Sequence, residues 1–250
     1  MHRVGVIVSR SVLGVVRWPW GVLQSGWEYL WRTRKVHRFE GPGSVPVDLP
    51  PPLPSDVQRA ELQHVSEGVG PLMHRCYVMR VRDAELEADA LIAAFAGQPN
   101  CASPQQLADF DKVHGQDGRL RVGDEFTIRI PGPWDGPVRV IEVDSTGFGF
   151  VTLDGHLEAG RIRFGARDLA RGCLEVRIEA WARGGDHLSN LLFDRVGINK
   201  EVQLHMWTSV LERLRQLSGG RYDGPIQATT KRVDASDLAH AIHTTAATPQ

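Results

Sequence analysis

The sequence predicts an α+β protein in which an antiparallel sheet is covered on one face by a long C-terminal helix. The first observation is that apolar and charged residues alternate in the segments 125–130, 161–164 and 174–180. Such alternation gives a sheet one apolar face and one solvated face. The second observation is an apolar stripe with helical spacing, formed by Leu204, Trp207, Leu211 and Leu214. We therefore expect this stripe to lie on the apolar face of the sheet.

Composition restricts the class of protein and the kinds of partner. The 250 residues are 42% hydrophobic and 24% charged, which is typical of a soluble globular protein. Basic and acidic residues number 29 and 30, so no nucleic acid is expected as a partner. The three cysteines form no C-x-x-C pair, which favours a reducing, cytoplasmic location over a disulfide framework or a zinc site.

Residues 1–40 form a basic, Trp-rich N-terminal segment. Arg3, Arg10 and Arg17 recur at every seventh position, which places them on one side of a helix with valines on the other side. This pattern is typical of a helix at a membrane surface, so peripheral membrane association or partner docking through residues 1–38 is one hypothesis. Two alternatives stay open: the apolar side packs on the rest of the protein, or the segment is an organelle transit peptide.

The middle of the chain divides into a linker and the start of the main domain. Residues 41–54 contain six prolines, so 41–72 is expected to be an extended, Pro-rich linker. The main domain spans residues 73–220 and opens with a strand at 74–82. Two short helices are predicted next, one from Asp83 to Phe95 and one from Ser103 to about Val113.

Five further strands and the long helix complete the predicted domain. The strands are expected at 125–130, 138–144, 148–153, 161–168 and 174–180, which makes six in all. The helix is predicted over 188–218, because Gly219 and Gly220 end the apolar stripe. Residues 221–250 are mostly small and polar, and they are predicted to form a disordered tail.

The stretch Gly147–Phe164, GFGFVTLDGHLEAGRIRF, reads as two strands joined by a turn. It resembles the signature of the domain of unknown function 1990 (DUF1990) family through seven residues: Thr152, Leu153, Gly155, His156, Glu158, Gly160 and Phe164. The chain departs from that signature at Leu157 and Arg161. The resemblance implies a helix-grip fold of the START- and Bet v 1-like type, in which a usually seven-stranded sheet wraps a C-terminal helix. It implies no established activity.

A sheet and helix of this kind predict a pocket between them. The leading hypothesis is noncovalent binding of a hydrophobic small molecule or lipid, with no cofactor. The side chains expected to line the pocket are apolar residues of the strands and of the helix: Phe126, Phe148, Phe150, Phe164, Ile178, Trp181, Leu204 and Trp207. Trp181 has the opposite alternation from its neighbours, so its membership requires a bulge in its strand.

A second hypothesis is an enzyme of the cyclase or hydrolase type with His156 or Glu142 as its acid/base group. His156 lies two residues from Glu158, although a structural role in the turn explains the same pattern. Glu142 falls on the apolar side of its strand, where a bulge would turn it outward. Glu201 and His205 share a helix face, but no third ligand has suitable spacing, so no metal site is expected.

Overall fold

The computed structural model describes residues 36–55, 57–130, 135–185 and 198–238. Residues 1–35 of the predicted interfacial segment (residues 1–38) and the first ten residues of the predicted long helix lie outside these ranges. No helix in the described part of the chain is both long enough and apolar enough to cross a membrane.

The described structure contains ten strands, two α-helices and a further helical segment at residues 235–238. The strands are β1 (Val36–Pro42), β2 (Val69–Arg82), β3 (Asp109–His114), β4 (Glu125–Arg129), β5 (Asp135–Asp144), β6 (Gly147–Thr152), β7 (Glu158–Ala170), β8 (Cys173–Gly184), β9 (Arg221–Tyr222) and β10 (Ile226–Val233). The helices are α1 (Ala88–Gly97) and α2 (Ile198–Leu217), and short 3-10 turns lie at Val65–Glu67 and Pro99–Cys101.

The strands form one sheet in the order β1-β10-β2-β8-β7-β6-β5-β4-β3, with β9 beside β2. Every pair is antiparallel except β1 and β10, which are parallel. The predicted hairpin in the signature stretch is confirmed, because β6 and β7 pair with Phe148 opposite Phe164. The α+β class with an antiparallel sheet and a long C-terminal helix is likewise confirmed.

Both helices lie on the inner face of the sheet. From α2, Leu204, Val210, Leu211 and Leu214 are buried in one cluster with the inward residues of the strands, as the apolar stripe predicts. Helix α1 joins the same cluster through Phe95 and its neighbours. It begins at Ala88 rather than near Asp83, because Asp83 has a φ of 56° and so cannot start a right-handed helix.

Two predicted elements are wrong. Residues 103–113 do not form a helix: Asp109–His114 is the edge strand β3, and the Asn100 side chain accepts a hydrogen bond from the Phe110 backbone N–H at 2.8 Å. Residues 221–238 are not disordered either. Ile226 and Ala228 point into the inner core from β10, which hydrogen-bonds β1 on one side and β2 on the other.

The outer face of the sheet is not solvated throughout, contrary to the alternating pattern. A segment we call the outer strap, residues 43–55 and 57–68, crosses it. One patch of the strap, containing Val57 and Leu62, packs against Ile141, Val151 and Leu153. A second patch, around Val65, packs against Leu72, Trp181 and Val233. All six residues of β6 are consequently buried.

Arginines that the alternation places in solvent hold the outer strap to the sheet. Arg139 donates to the backbone carbonyl of Ala60 at 2.7 Å and to Glu125 at 2.7 Å, and it is only 4% exposed. Arg183 donates to the carbonyls of Val65 and Gly70 at 3.0 and 2.9 Å. Arg161 likewise donates to the carbonyl of Pro51 in the Pro-rich run, where extended chain has few internal hydrogen bonds. The segment is therefore an integral layer of the fold over these contacts.

Candidate functional site

Most of the predicted pocket residues lie together on the inner face of the sheet. Phe126, Phe148, Phe150, Phe164, Ile178 and Leu204 are all 6% exposed or less and belong to one cluster. Trp207 is partly buried and packs on Phe164, with ring centroids 5.7 Å apart. The sequence therefore identifies a set of residues that the fold does bring together.

The centre of this cluster is filled by side chains. Phe95 from α1 inserts between two of the predicted residues, with centroid distances of 5.0 Å to Phe148 and 5.3 Å to Phe164. Phe110 from β3 closes the other end, 5.9 Å from Phe150 and 6.3 Å from Phe126. Edge-to-face and tilted contacts of this kind are those of a packed aromatic core. The middle of the inner face is thus occupied by the protein itself.

Trp181 is separated from the other seven residues. It lies on the outer face of β8 with Leu72 and Val233, and its ring stacks on His74 at 5.0 Å. The register of β8 with β2 and β7 is regular at this residue, opposite His74 and Arg161, so no bulge turns it inward. Its predicted place in the pocket is therefore wrong, and its role is to anchor the outer strap.

An open cleft lies at the β1 side of the inner face, where the first turns of α2 meet the sheet. We call it the Arg75 cleft. Its volume is ≈ 20 Å³, enough for about one water molecule. Its walls come from β1, β2, β10 and α2: Arg38, Glu40, Arg75, Tyr77, Glu201, Leu204, Ala228 and Thr230. Of these, only Leu204 is among the predicted pocket residues.

The walls of the Arg75 cleft differ in polarity. Tyr77, Leu204 and Ala228 are buried and belong to the inner core. Burial raises the pKa of Tyr77 to about 12, so its hydroxyl is neutral at physiological pH. Arg38 and Glu201 form an ion pair of 2.7 Å that joins β1 to α2. The cleft is therefore bordered by both apolar and charged side chains.

Arg75 is the functional candidate that the sequence analysis missed. The strand at 74–82 has Tyr77, Met79 and Val81 on one face, and Arg75 has the same phase as these apolar residues. A basic residue at an inward, apolar position of a strand is therefore a feature of the sequence from which this candidate can be recognised. In the structure Arg75 is 8% exposed and lies between Ala180 of β8 and Thr230 of β10.

His156 and Glu142 do not form a joint acid/base site in the described contacts. His156 Nδ1 accepts a hydrogen bond from the Glu158 backbone N–H at 2.9 Å, and burial lowers the pKa of the imidazole. Glu142 lies at a β-bulge that follows Val140, as predicted, and its carboxylate is 3.3 Å from Arg163 Nε on the outer face. Structural partners account for both side chains, and their catalytic role stays a prediction.

No group of three or more His, Cys, Asp or Glu side chains suited to a metal occurs in the described ranges. Glu201 is paired with Arg38, and His205, one turn further along α2, is 5% exposed. The geometry there is that of a helix packed against the sheet.

The fold is thus that of an α+β helix-grip protein with a packed aromatic interior and a small polar cleft at one end. Residues 104–211 match the model of the family described as Domain of unknown function (DUF1990), which confirms the resemblance seen in the signature stretch. No curated protein matches the chain significantly.

Several solved structures are similar to this chain at low identity. One is the hypothetical protein jhp0584 from Helicobacter pylori, with a TM-score of 0.44 and 10% identity over 57% of this chain and 86% of that chain. Another is norcoclaurine synthase from Thalictrum flavum, with a TM-score of 0.42 and 12% identity over 66% of this chain and 94% of that chain. Major latex-like protein 151 from Panax ginseng has a TM-score of 0.42 and 12% identity over 58% and 98%.

Proposed function

We propose that the protein binds a small molecule with an apolar body, without covalent chemistry, between the sheet and the first turns of α2. The observation that carries this proposal is the Arg75 cleft, where the apolar side chains of Tyr77, Leu204 and Ala228 border an opening to solvent. Apolar walls with a few placed polar groups are the usual composition of a ligand site. The site lies at one end of the predicted pocket rather than in its centre, which Phe95 fills.

The small volume of the cleft sets the way in which a ligand binds. At ≈ 20 Å³ it holds about one water molecule, so a ligand has to displace part of the contact between α2 and the sheet. Helix α2 meets the sheet here through Leu204 and through the Arg38–Glu201 ion pair, whose side chains are 35% and 53% exposed. An exposed ion pair contributes little stability, so loss of the Arg38–Glu201 pair costs little, and the main cost of opening this contact is exposure of buried Leu204.

Binding of a neutral fluorescent probe tests the proposal. N-phenyl-1-naphthylamine is expected to bind the intact protein, and Thr230→Trp, which fills the cleft, should weaken binding about tenfold or more. Thr229→Trp is the matched control, because Thr229 is the adjacent residue of β10 and points to the opposite face. Native mass spectrometry and organic extraction of gently purified protein should reveal a bound apolar molecule. Absence of both probe binding and a bound molecule rejects the proposal.

A further inference from the structure

Arg75 lies in the wall of the Arg75 cleft and has no ion-pair partner among the residues that the structure describes. Its side chain points to the inner face of β2, and its exposure is 8%. Its Nε atom is buried without a hydrogen-bond partner. None of the hydrogen bonds and ion pairs in the described part of the chain involves its guanidinium. Other arginines that are buried to the same extent, such as Arg139, donate to carboxylates and carbonyls.

An arginine without such partners destabilises the ligand-free protein. A buried Nε–H group without a partner loses hydration and gains no hydrogen bond in exchange. A ligand with an anionic group would therefore give Arg75 the ion pair and hydrogen bonds that it lacks in the described structure. Arginine suits this role because its planar guanidinium donates two parallel hydrogen bonds to a carboxylate.

The two carboxylates in the wall of the cleft, Glu201 and Glu40, do not supply an anionic partner to Arg75. Glu201 is held by Arg38 at 2.7 Å, at the rim of the cleft. Glu40 is exposed, so water screens its charge far more than the charge of buried Arg75. Neither residue forms an ion pair with Arg75. The deepest charge of the cleft is consequently positive, and it is surrounded by Tyr77, Leu204 and Ala228.

We propose that Arg75 binds the carboxylate of an apolar carboxylic acid, whose hydrocarbon part lies between α2 and the sheet. This inference rests on the proposed function and specifies its ligand class. The hydrocarbon part follows the apolar side of α2 from Leu204 toward Trp207, which is partly buried at the edge of the core.

A matched pair of ligands separates the charge from the apolar contact. The intact protein is titrated with cis-parinaric acid and with its methyl ester, which has the same chain and no charge. The acid is expected to bind about ten- to a hundredfold more tightly than the ester, the range for a charged hydrogen-bonding partner. Arg75→Met keeps the length of the side chain and should remove this preference while binding of the ester persists.

Arg82→Met is the control, because Arg82 lies on the same strand and is exposed on the other face. It should retain the preference for the acid. Arg75→Met should also be at least as stable as the wild-type protein without ligand, since it removes an unpaired buried charge. Equal affinity of the wild-type protein for acid and ester, or an unchanged preference in Arg75→Met, overturns the inference and leaves apolar binding intact. If neither compound binds, the proposed function itself fails.

Discussion

His74 shows how one residue joins the outer strap to the sheet. Its Nδ1 lies 2.8 Å from Asp48 of the strap, and its Nε2 lies 2.9 Å from Glu179 of β8. Burial acts to lower the pKa of His74, but the hydrogen bonds to Glu179 and Asp48 outweigh it, and the pKa is raised above its ordinary value. The two carboxylates have lowered pKa values for the same reason. The protonated imidazole therefore binds the two layers together.

The attachment of the strap is expected to depend on pH. The contribution of His74 to stability is complete below its ordinary pKa of about 6.5 and is lost as pH rises through the raised value. The contribution of Asp48 and Glu179 is present above about 4.5 and is lost as pH falls through their lowered values. Urea unfolding should thus show the wild-type protein losing stability as pH rises above about 6.5, with a smaller loss in His74→Gln.

Proton NMR of the imidazole gives a direct check of this prediction. The resonance of His74 should titrate above the ordinary imidazole value of about 6.5. A His74 pKa at or below that value contradicts the proposed clamp.

At the scale of elements, helix α1 contributes more to the interior than the sequence predicts. Its predicted apolar side is correct, but the position of Phe95 against Phe148 and Phe164 depends on how α1 lies across β6 and β7. Alternation within a strand gives the face of a residue and not the element that covers it. The strand pattern therefore identified the aromatic cluster, while a helix 50 residues away in sequence determined that its centre is filled.

Removal of the Phe95 ring is expected to leave a cavity in the aromatic cluster. Phe95→Ala should lower the free energy of unfolding by about 3–5 kcal/mol, the usual cost of truncating a buried phenylalanine. Phe39→Ala is the control, because Phe39 is 56% exposed on β1, and its effect should stay below about 1 kcal/mol. Equal effects of the two substitutions, measured by urea unfolding, would show that Phe95 is not part of the packed core.

The contacts between the outer strap and the sheet are also not predictable from the sequence. Its prolines correctly indicated extended chain, but its partners are single residues such as Arg139 and Arg183, far apart in sequence. These arginines occur at outward positions of their strands, where solvation is the ordinary expectation. Only the presence of acceptor carbonyls beside them distinguishes an anchor from a solvated side chain.

At the scale of the whole molecule, the sheet depends on its last strand. The sequence predicted the class, the hairpin of β6 and β7 and the covering helix from strong local periodicity. It missed β10 because Ile226, Ala228 and Val233 are separated by polar residues such as Thr229 and Lys231. Polar residues on β10 face outward or lie at the cleft, so its composition resembles that of a tail.

Truncation tests whether the C-terminal region is part of the sheet or a disordered tail. A chain ending after Gly220 lacks β9 and β10, so β1 loses its described neighbour and one edge of β2 is exposed. We expect this protein to aggregate or to lose most of its cooperative unfolding. A chain ending after Leu238 keeps every described strand and should unfold like the full chain, as followed by circular dichroism. Equivalent behaviour of the two truncations would contradict the role of β10.

The parallel pairing of β1 with β10 has a consequence for synthesis of the chain. The ribosome releases β1 early, yet its neighbour in the described sheet emerges only after more than 180 further residues, counted from Pro42 to Ile226. At ordinary translation rates this delay is on the order of 10 to 40 s. During that interval the nascent polypeptide presents an incomplete sheet edge, and a chaperone at the exit tunnel has time to occupy it.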